Sequence, residues 1–146
     1  MFKTILVPVD IDDLEVARSA VEKAVALAQS SGAALRLMNV ELVLPASYMD
    51  YVPETFDVDR KAEIETKLRT IAGKLDLPPE RVSWTSRKGG VYTEILAEAE
   101  AWGADLIVLG SHRPSMATYL LGSNAKTVAR HAKCSVLIVQ IGRAHV

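Results

Sequence analysis

Residues 3–32 read KTILVPVDIDDLEVARSAVEKAVALAQSSG, and this stretch decides the fold. Its opening, residues 3–9, is a short apolar run with β-branched residues, the pattern of a buried strand. Asp10 follows directly, at the strand's C-terminal end. Asp12, with Glu15 three residues on, resembles a helix N-cap and its reciprocal partner. Beyond it Leu14, Ala17, Val21, Ala24, Val25 and Ala28 recur at helical spacing. Gly32 suits the position just past a helix end. A buried strand that runs straight into an amphipathic helix is the first half of a strand–helix–strand unit.

The pattern repeats outward from there. Residues 34–41 (ALRLMNVE) predict a second strand. Residues 42–57 form a long connection with Pro45, Pro53 and three aromatics, Tyr48, Tyr51 and Phe56. A connection of this length is usually functional or poorly ordered. Residues 58–75 return to helical spacing, with Ala62, Leu68, Ile71, Ala72 and Leu75 on one side, and Pro78-Pro79 stops the run. A strand over 81–86, a turn at Gly89-Gly90 and a helix over 93–102 follow. Then come a buried strand over 104–109, a loop over 110–121, a helix over 122–132 and a strand over 134–141. Strands that alternate with helices imply right-handed crossovers and a parallel sheet covered on both faces, a Rossmann-like α/β layout. The first and fourth strands are the most apolar and should be central. No repeat or linker interrupts the pattern, so residues 1–146 are read as one domain.

Composition narrows the class. Hydrophobic residues make up 49% and charged residues 24%, which excludes disorder as the main state. The longest stretches without a charged side chain, 24–35 and 114–125, are 12 residues each. Both fall short of the roughly 18 that a membrane helix needs. A single cysteine, Cys134, excludes an internal disulfide. It reads as a small buried hydrophobe. With no signal peptide at the start, the expectation is a cytoplasmic protein. All 18 acidic residues lie before position 106, and Arg113, Lys126, Arg130, Lys133 and Arg143 lie after it. That asymmetry suits a small anion held by the C-terminal third. Five scattered cations do not make a nucleic-acid stripe, so no nucleic-acid partner is expected.

In open α/β sheets ligands bind beyond the C-terminal ends of the strands, where the strand order reverses. Two segments there could carry chemistry. Residues 110–124 read GSHRPSMATYLLGSN. A helix N-terminus opening at Gly122-Ser123 would offer free N–H groups to an anion, with Ser123 and Asn124 adding donors. His112 and Arg113 share the loop, and a guanidinium matches phosphate oxygens. A plain turn with a Ser/Asn cap explains the same residues. At the other wall, Asp10, Asp12 and Asp13 could hold a hydrated metal or a ribose hydroxyl, or could simply be a cap and solvated charges. A phospho-receiver reading fails. The third strand ends in Ser86-Arg87 where an Asp is needed, and the fifth runs into Gln140-Ile141 where a Lys is needed. The GxGxxG, GxxxxGK[ST] and GxSxG signatures are absent, and His112, His131 and His145 lack metal-ligand spacing. No nucleophile–base pair emerges, so the residues make no case for catalysis.

Taken together, FKTILVPVD at the start and DLIVLGSHRP…TYLLGSNAKTVARHAKCSVLIV at the end resemble the universal stress protein family. The wording SHRP…TYLLGSN is similar to its F-like subgroup. The resemblance implies a five-stranded parallel sheet of order 3-2-1-4-5. It also implies ATP as ligand, bound at the switch point between strands 1 and 4 through a G-x2-G-x9-G-[ST] pattern. By that resemblance Gly110 is the first glycine, and Gly122 with Ser123 closes the motif. Ser111, His112, Arg113 and Asn124 would complete the phosphate end. Pro8, Val9 and Asp10 would lie by the adenosine, with Asp10 near the ribose or on a Mg²⁺ that accompanies ATP. Asn39 and Val40 would border the adenine. The sequence departs from the pattern at Arg113, which stands at the middle glycine position, and its loop is one residue short. The fifth strand, from Cys134 to Gln140, is an unprotected edge that pairing with a second copy would cover, and the resemblance likewise implies a homodimer. The function expected is a stress-response ATP-binding module, not an enzyme in its own right. The alternatives are a weak Mg²⁺-dependent ATPase using Asp10 and Arg113, and a nucleotide-free dimeric interaction protein.

Overall fold

The computed structural model describes residues 1–43, 55–112 and 119–141, with the side chains of Val16, Ser111, His112, residues 119–123 and Ile141 outside that description. The chain runs β1 (Thr4–Pro8), α1 (Leu14–Ser31), β2 (Ala34–Glu41), α2 (Phe56–Gly73), β3 (Val82–Lys88), α3 (Val91–Trp102), β4 (Leu106–His112), α4 (Tyr119–His131) and β5 (Ser135–Ile141). All four strand pairings are parallel, in the order β3-β2-β1-β4-β5. This is the Rossmann-like sheet expected, with β1 at its centre. The strand order reverses beside it, because β2 and β4 flank it on opposite sides.

Side chains on alternate strand positions point to opposite faces, and the core divides accordingly. Ile5, Val7, Leu35, Leu37 and Val108 pack on one face with α1 and α2. Leu6, Met38, Ile107 and Leu109 pack on the other with Ile95 and Ala99 of α3 and Ala125 and Val128 of α4. Burying one such aliphatic side chain contributes roughly 1.5–3 kcal/mol. Helix α1 meets the sheet through Ala17, Ala20, Ala24 and Ala28, a stripe of small side chains that are fully or nearly buried. It ends where Gly32 takes the left-handed conformation at φ 71°.

Several local expectations need correction. Asp12 does not cap α1: the N-cap position falls to Asp13, which makes no side-chain capping bond. Leu14 is exposed and Ala20 takes the buried place. Helix α2 starts at Phe56 and buries Ile64, Leu68 and Ala72, whereas Ala62 is exposed. Arg81 belongs to a 3-10 turn over Pro79–Arg81. Strand β4 runs on to His112, so Gly110, Ser111 and His112 are strand residues paired with Val139, Gln140 and Ile141 of β5. Helix α4 begins at Tyr119, which puts Gly122 and Ser123 inside its opening turns. Gly122 and Ser123 are thus the fourth and fifth residues of α4, one turn in from the free N–H groups of its start. Arg113 and most of the long connection after β2 lie outside the described residues, as does the C-terminal GRAHV. Among the described residues, no helix is long and apolar enough to cross a membrane.

Candidate functional site

Where β1 and β2 end, the chain leaves a cavity of about 430 Å³. That is within the usual range of small-molecule sites, roughly 300–1,000 Å³. Pro8, Val9, Asp10 and Asp12 line it from β1 and its exit, and Met38, Asn39, Val40, Glu41 and Leu42 from β2 and its exit. The remaining walls are Phe56 and Arg60 of α2, and Val91 and Ile95 of α3. Helices α2 and α3 cover opposite faces of the sheet. The cavity therefore runs across the sheet's C-terminal edge. All five residues expected at the nucleoside end, Pro8, Val9, Asp10, Asn39 and Val40, meet here. Gly110, Ser111 and His112, expected at the phosphate end, sit at the end of neighbouring β4.

Asn39 is the informative side chain. It is 3% exposed. Its Oδ1 accepts the Ile11 N–H at 3.4 Å, which sets the orientation of the amide. Its Nδ2 is buried and has no hydrogen-bond partner among the described residues. A buried donor without a partner costs about 1–3 kcal/mol. The cavity that Asn39 lines is where a ligand acceptor would relieve that cost.

Asp10 is half-buried, and loss of hydration pushes its carboxyl above the ordinary aspartate value. The Asp12 N–H, donated to its Oδ1 at 2.9 Å, pulls the other way. The charges of Asp12 and Asp13 raise it further, and Arg60 lowers it. Asp12 itself turns to α2, where its Oδ2 accepts from Arg60 Nη2 at 2.8 Å. The three carboxylates do not converge: among the described residues, no group of three or more His, Cys, Asp or Glu could hold a metal. A single half-buried carboxylate suits a ribose hydroxyl better than a cation.

Helix α3, which brings Val91 and Ile95, is seated by charge. Glu98, 7% exposed, accepts from Arg36 at 2.8 Å and from Arg87 at 3.0 Å, and Arg87 also reaches Glu94 at 3.0 Å. The turn before α3 needs a glycine. Gly89 has φ 151°, and a Cβ there would lie 2.7 Å from Glu94 Oε2. Asn124, expected on phosphate, accepts the Tyr92 N–H through its Oδ1 at 3.1 Å and so ties α4 to the start of α3. His131 is exposed at the end of α4, within 3.0 Å of the Thr127 carbonyl, and takes no part in the site. Cys134 is half-buried, and burial pushes its thiol up, in keeping with an inert hydrophobe.

Sequence reading missed Phe56 and Arg60 as lining residues. They stand four apart, on one face of a helix, which was the available signal.

Residues 1–140 match the model of the universal stress protein family. Universal stress protein G of Escherichia coli O157:H7 is 37% identical over 146 aligned residues, covering 96% of this chain and all of that one. Universal stress protein A homolog 2 of Coxiella burnetii is 33% identical, with 96% of each chain covered. Among solved structures, universal stress protein UspA from Lactobacillus plantarum superposes with a TM-score of 0.74 at 25% identity, covering 94% of this chain and 97% of that one. A universal stress protein in complex with cAMP has the same fold, with a TM-score of 0.66 at 24% identity over 94% and 97% of the two chains.

Proposed function

Because this chain belongs to the universal stress protein family, we propose that it is an ATP-binding regulatory module of the stress response. The observation that carries the reading is Asn39: a buried amide whose donor has no partner among the described residues, lining a cavity at the strand ends. In this reading the base lies against Val9, Asn39 and Val40, and Asp10 accepts from the ribose. The triphosphate extends toward β4 and the first turn of α4, whose free N–H groups favour an anion, with Gly122 at the end of that turn. By the family resemblance Gly110, Ser111, His112, Arg113 and Ser123 would serve that end. Mg²⁺ enters only as the companion of the phosphates. The complex of a relative with cAMP makes a cyclic nucleotide the natural competitor. The module works in the cytoplasm, and two copies associate through β5. That strand pairs only with β4 among the described residues and leaves Leu137 38% exposed.

Calorimetric titration of the full chain tests the ligand. Wild type should take ATP in the micromolar range, and Gly122→Val should abolish the heat. A Gly122→Val protein that binds ATP as wild type does would refute the phosphate-site assignment. A wild type that binds neither ATP nor cAMP would refute the function.

A further inference from the structure

We propose that the opening turns of α2 form the base-recognising wall of the cavity, with Phe56 as the stacking surface and Arg60 as a positioning residue. This inference rests on the nucleotide reading above and adds the side chains that select the base. Phe56 is half-buried and lines the cavity with Arg60 one helical turn on, while Ile95 of α3 lines it from the other face of the sheet. A half-buried aromatic ring in the wall of a cavity that also holds Pro8, Val9 and Ile95 is a surface on which a planar heteroaromatic base can stack. The Asn39 donor adds a preference for an acceptor nitrogen on that base.

Arg60 acts through its partners. Its guanidinium is held between Asp12, at 2.8 Å, and Glu63 of its own helix, and its side chain is 22% exposed. Lys67 approaches the other oxygen of Asp12 at 3.9 Å. Asp12 belongs to the short connection that leaves β1 and carries Asp10. The Arg60–Asp12 pair therefore clasps α2 to the connection that leaves β1, both residues lining the cavity. It fixes the distance between the Phe56 ring and the β1 exit, and so the width available to the base. Without the clasp α2 loses its tie to that segment, and the ring no longer stands at a fixed stacking distance.

The test uses the full chain and three probes: ATP, adenosine and inorganic triphosphate. Phe56→Leu keeps the apolar bulk and removes the π-face. It should weaken ATP and adenosine equally, by about tenfold, since stacking of a base on an aromatic side chain has roughly that worth. Phe56→Tyr should restore both. Arg60→Met should weaken ATP and adenosine by one common factor and leave triphosphate unchanged. Asp12→Asn combined with Arg60→Met should be no worse than either alone, as expected of one shared contact. Thermal melting of each variant separates loss of fold from loss of the clasp. Wild-type affinity in Phe56→Leu, a loss in Arg60→Met confined to ATP and triphosphate, or full additivity in the double variant would overturn the inference while leaving nucleotide binding intact. A wild type that binds neither ATP nor adenosine would remove the nucleotide reading, and this inference with it.

Discussion

Replacing Asn39 with Leu separates a ligand contact from a structural hydrogen bond. Leucine repeats the branching of asparagine, and the adjoining cavity can take its slightly larger bulk. Two opposing effects act on the folded protein. The substitution removes the buried Nδ2, which has no partner among the described residues, a gain of about 1–3 kcal/mol. It also strands the Ile11 N–H, in a residue 2% exposed, a loss of similar size. That N–H reaches Oδ1 at 3.4 Å, beyond the usual N–H···O range of roughly 2.7–3.2 Å. The loss is therefore the smaller part of its range. The net change in stability should stay within about 1 kcal/mol, which for a chain of this size is a shift of about 3 °C in Tm. Ligand binding has no such compensation. The donor that meets the base is gone, and ATP affinity should fall about tenfold, the equivalent of one hydrogen bond in a dehydrated site. Thermal unfolding and calorimetry on the same preparation read both quantities. A Tm lowered by more than about 10 °C with ATP affinity unchanged would refute the reasoning, because Asn39 would then be holding the β1 exit and nothing else.

Three further outcomes follow from the same geometry. Asp10 has its folded-state pKa raised, chiefly by burial. Its ionised form is therefore a cost to the folded state above that pKa, and the cost fades as pH falls toward the unfolded value of about 3.9. Asp10→Asn should be more stable than wild type at neutral pH, with the advantage shrinking to nothing near pH 4, and should bind adenosine less well; equal melting at pH 7 would contradict this. Glu98→Ala should cost about 2–3 kcal/mol in urea unfolding. That is less than the full penalty for breaking a buried pair, since Arg36 and Arg87 are 25% and 31% exposed and Arg87 keeps Glu94. Leu137→Lys on β5 should lower self-association in sedimentation without lowering Tm, and unchanged association would place the interface elsewhere.

The central strands were legible because they are buried on both faces. Val7 and Leu35 have no polar requirement to meet, and the residues expected for β2 were those observed. Helix α2 was harder to read. Val58 and Ala62 lie on one possible stripe, Ile64, Leu68 and Ala72 on another, and only the sheet decides between them. The first loop was misread for a related reason. Asp12 and Glu15 satisfy a local capping signature, but Arg60, 48 residues away, offers the Asp12 carboxylate a full charge. A tertiary ion pair of that kind leaves no periodic trace. The glycines of β4 and α4 misled by position: Gly110 reads as a strand end, yet β4 has two further residues, and Gly122 reads as a helix start, yet α4 has three residues before it. The cavity residues at the ends of β1 and β2 were legible, Asp10 because it stands at the tip of an apolar strand and Asn39 and Val40 through the family resemblance. The α2 wall was not, because Phe56 reads as part of a connection and Arg60 lies off the apolar stripe expected of the helix.

The central claim is that the cavity at the ends of β1 and β2 is where an adenine nucleotide sits. Amide hydrogen exchange of the full chain with and without saturating ATP tests it directly. The account predicts slowed exchange at Val9–Asp10, at Asn39–Val40 and across Phe56–Arg60, together with the first turn of α4. Unchanged exchange at all of these, or protection confined to the cavity between the C-terminal ends of α3 and α4 near Gly103 and Cys134, would contradict it.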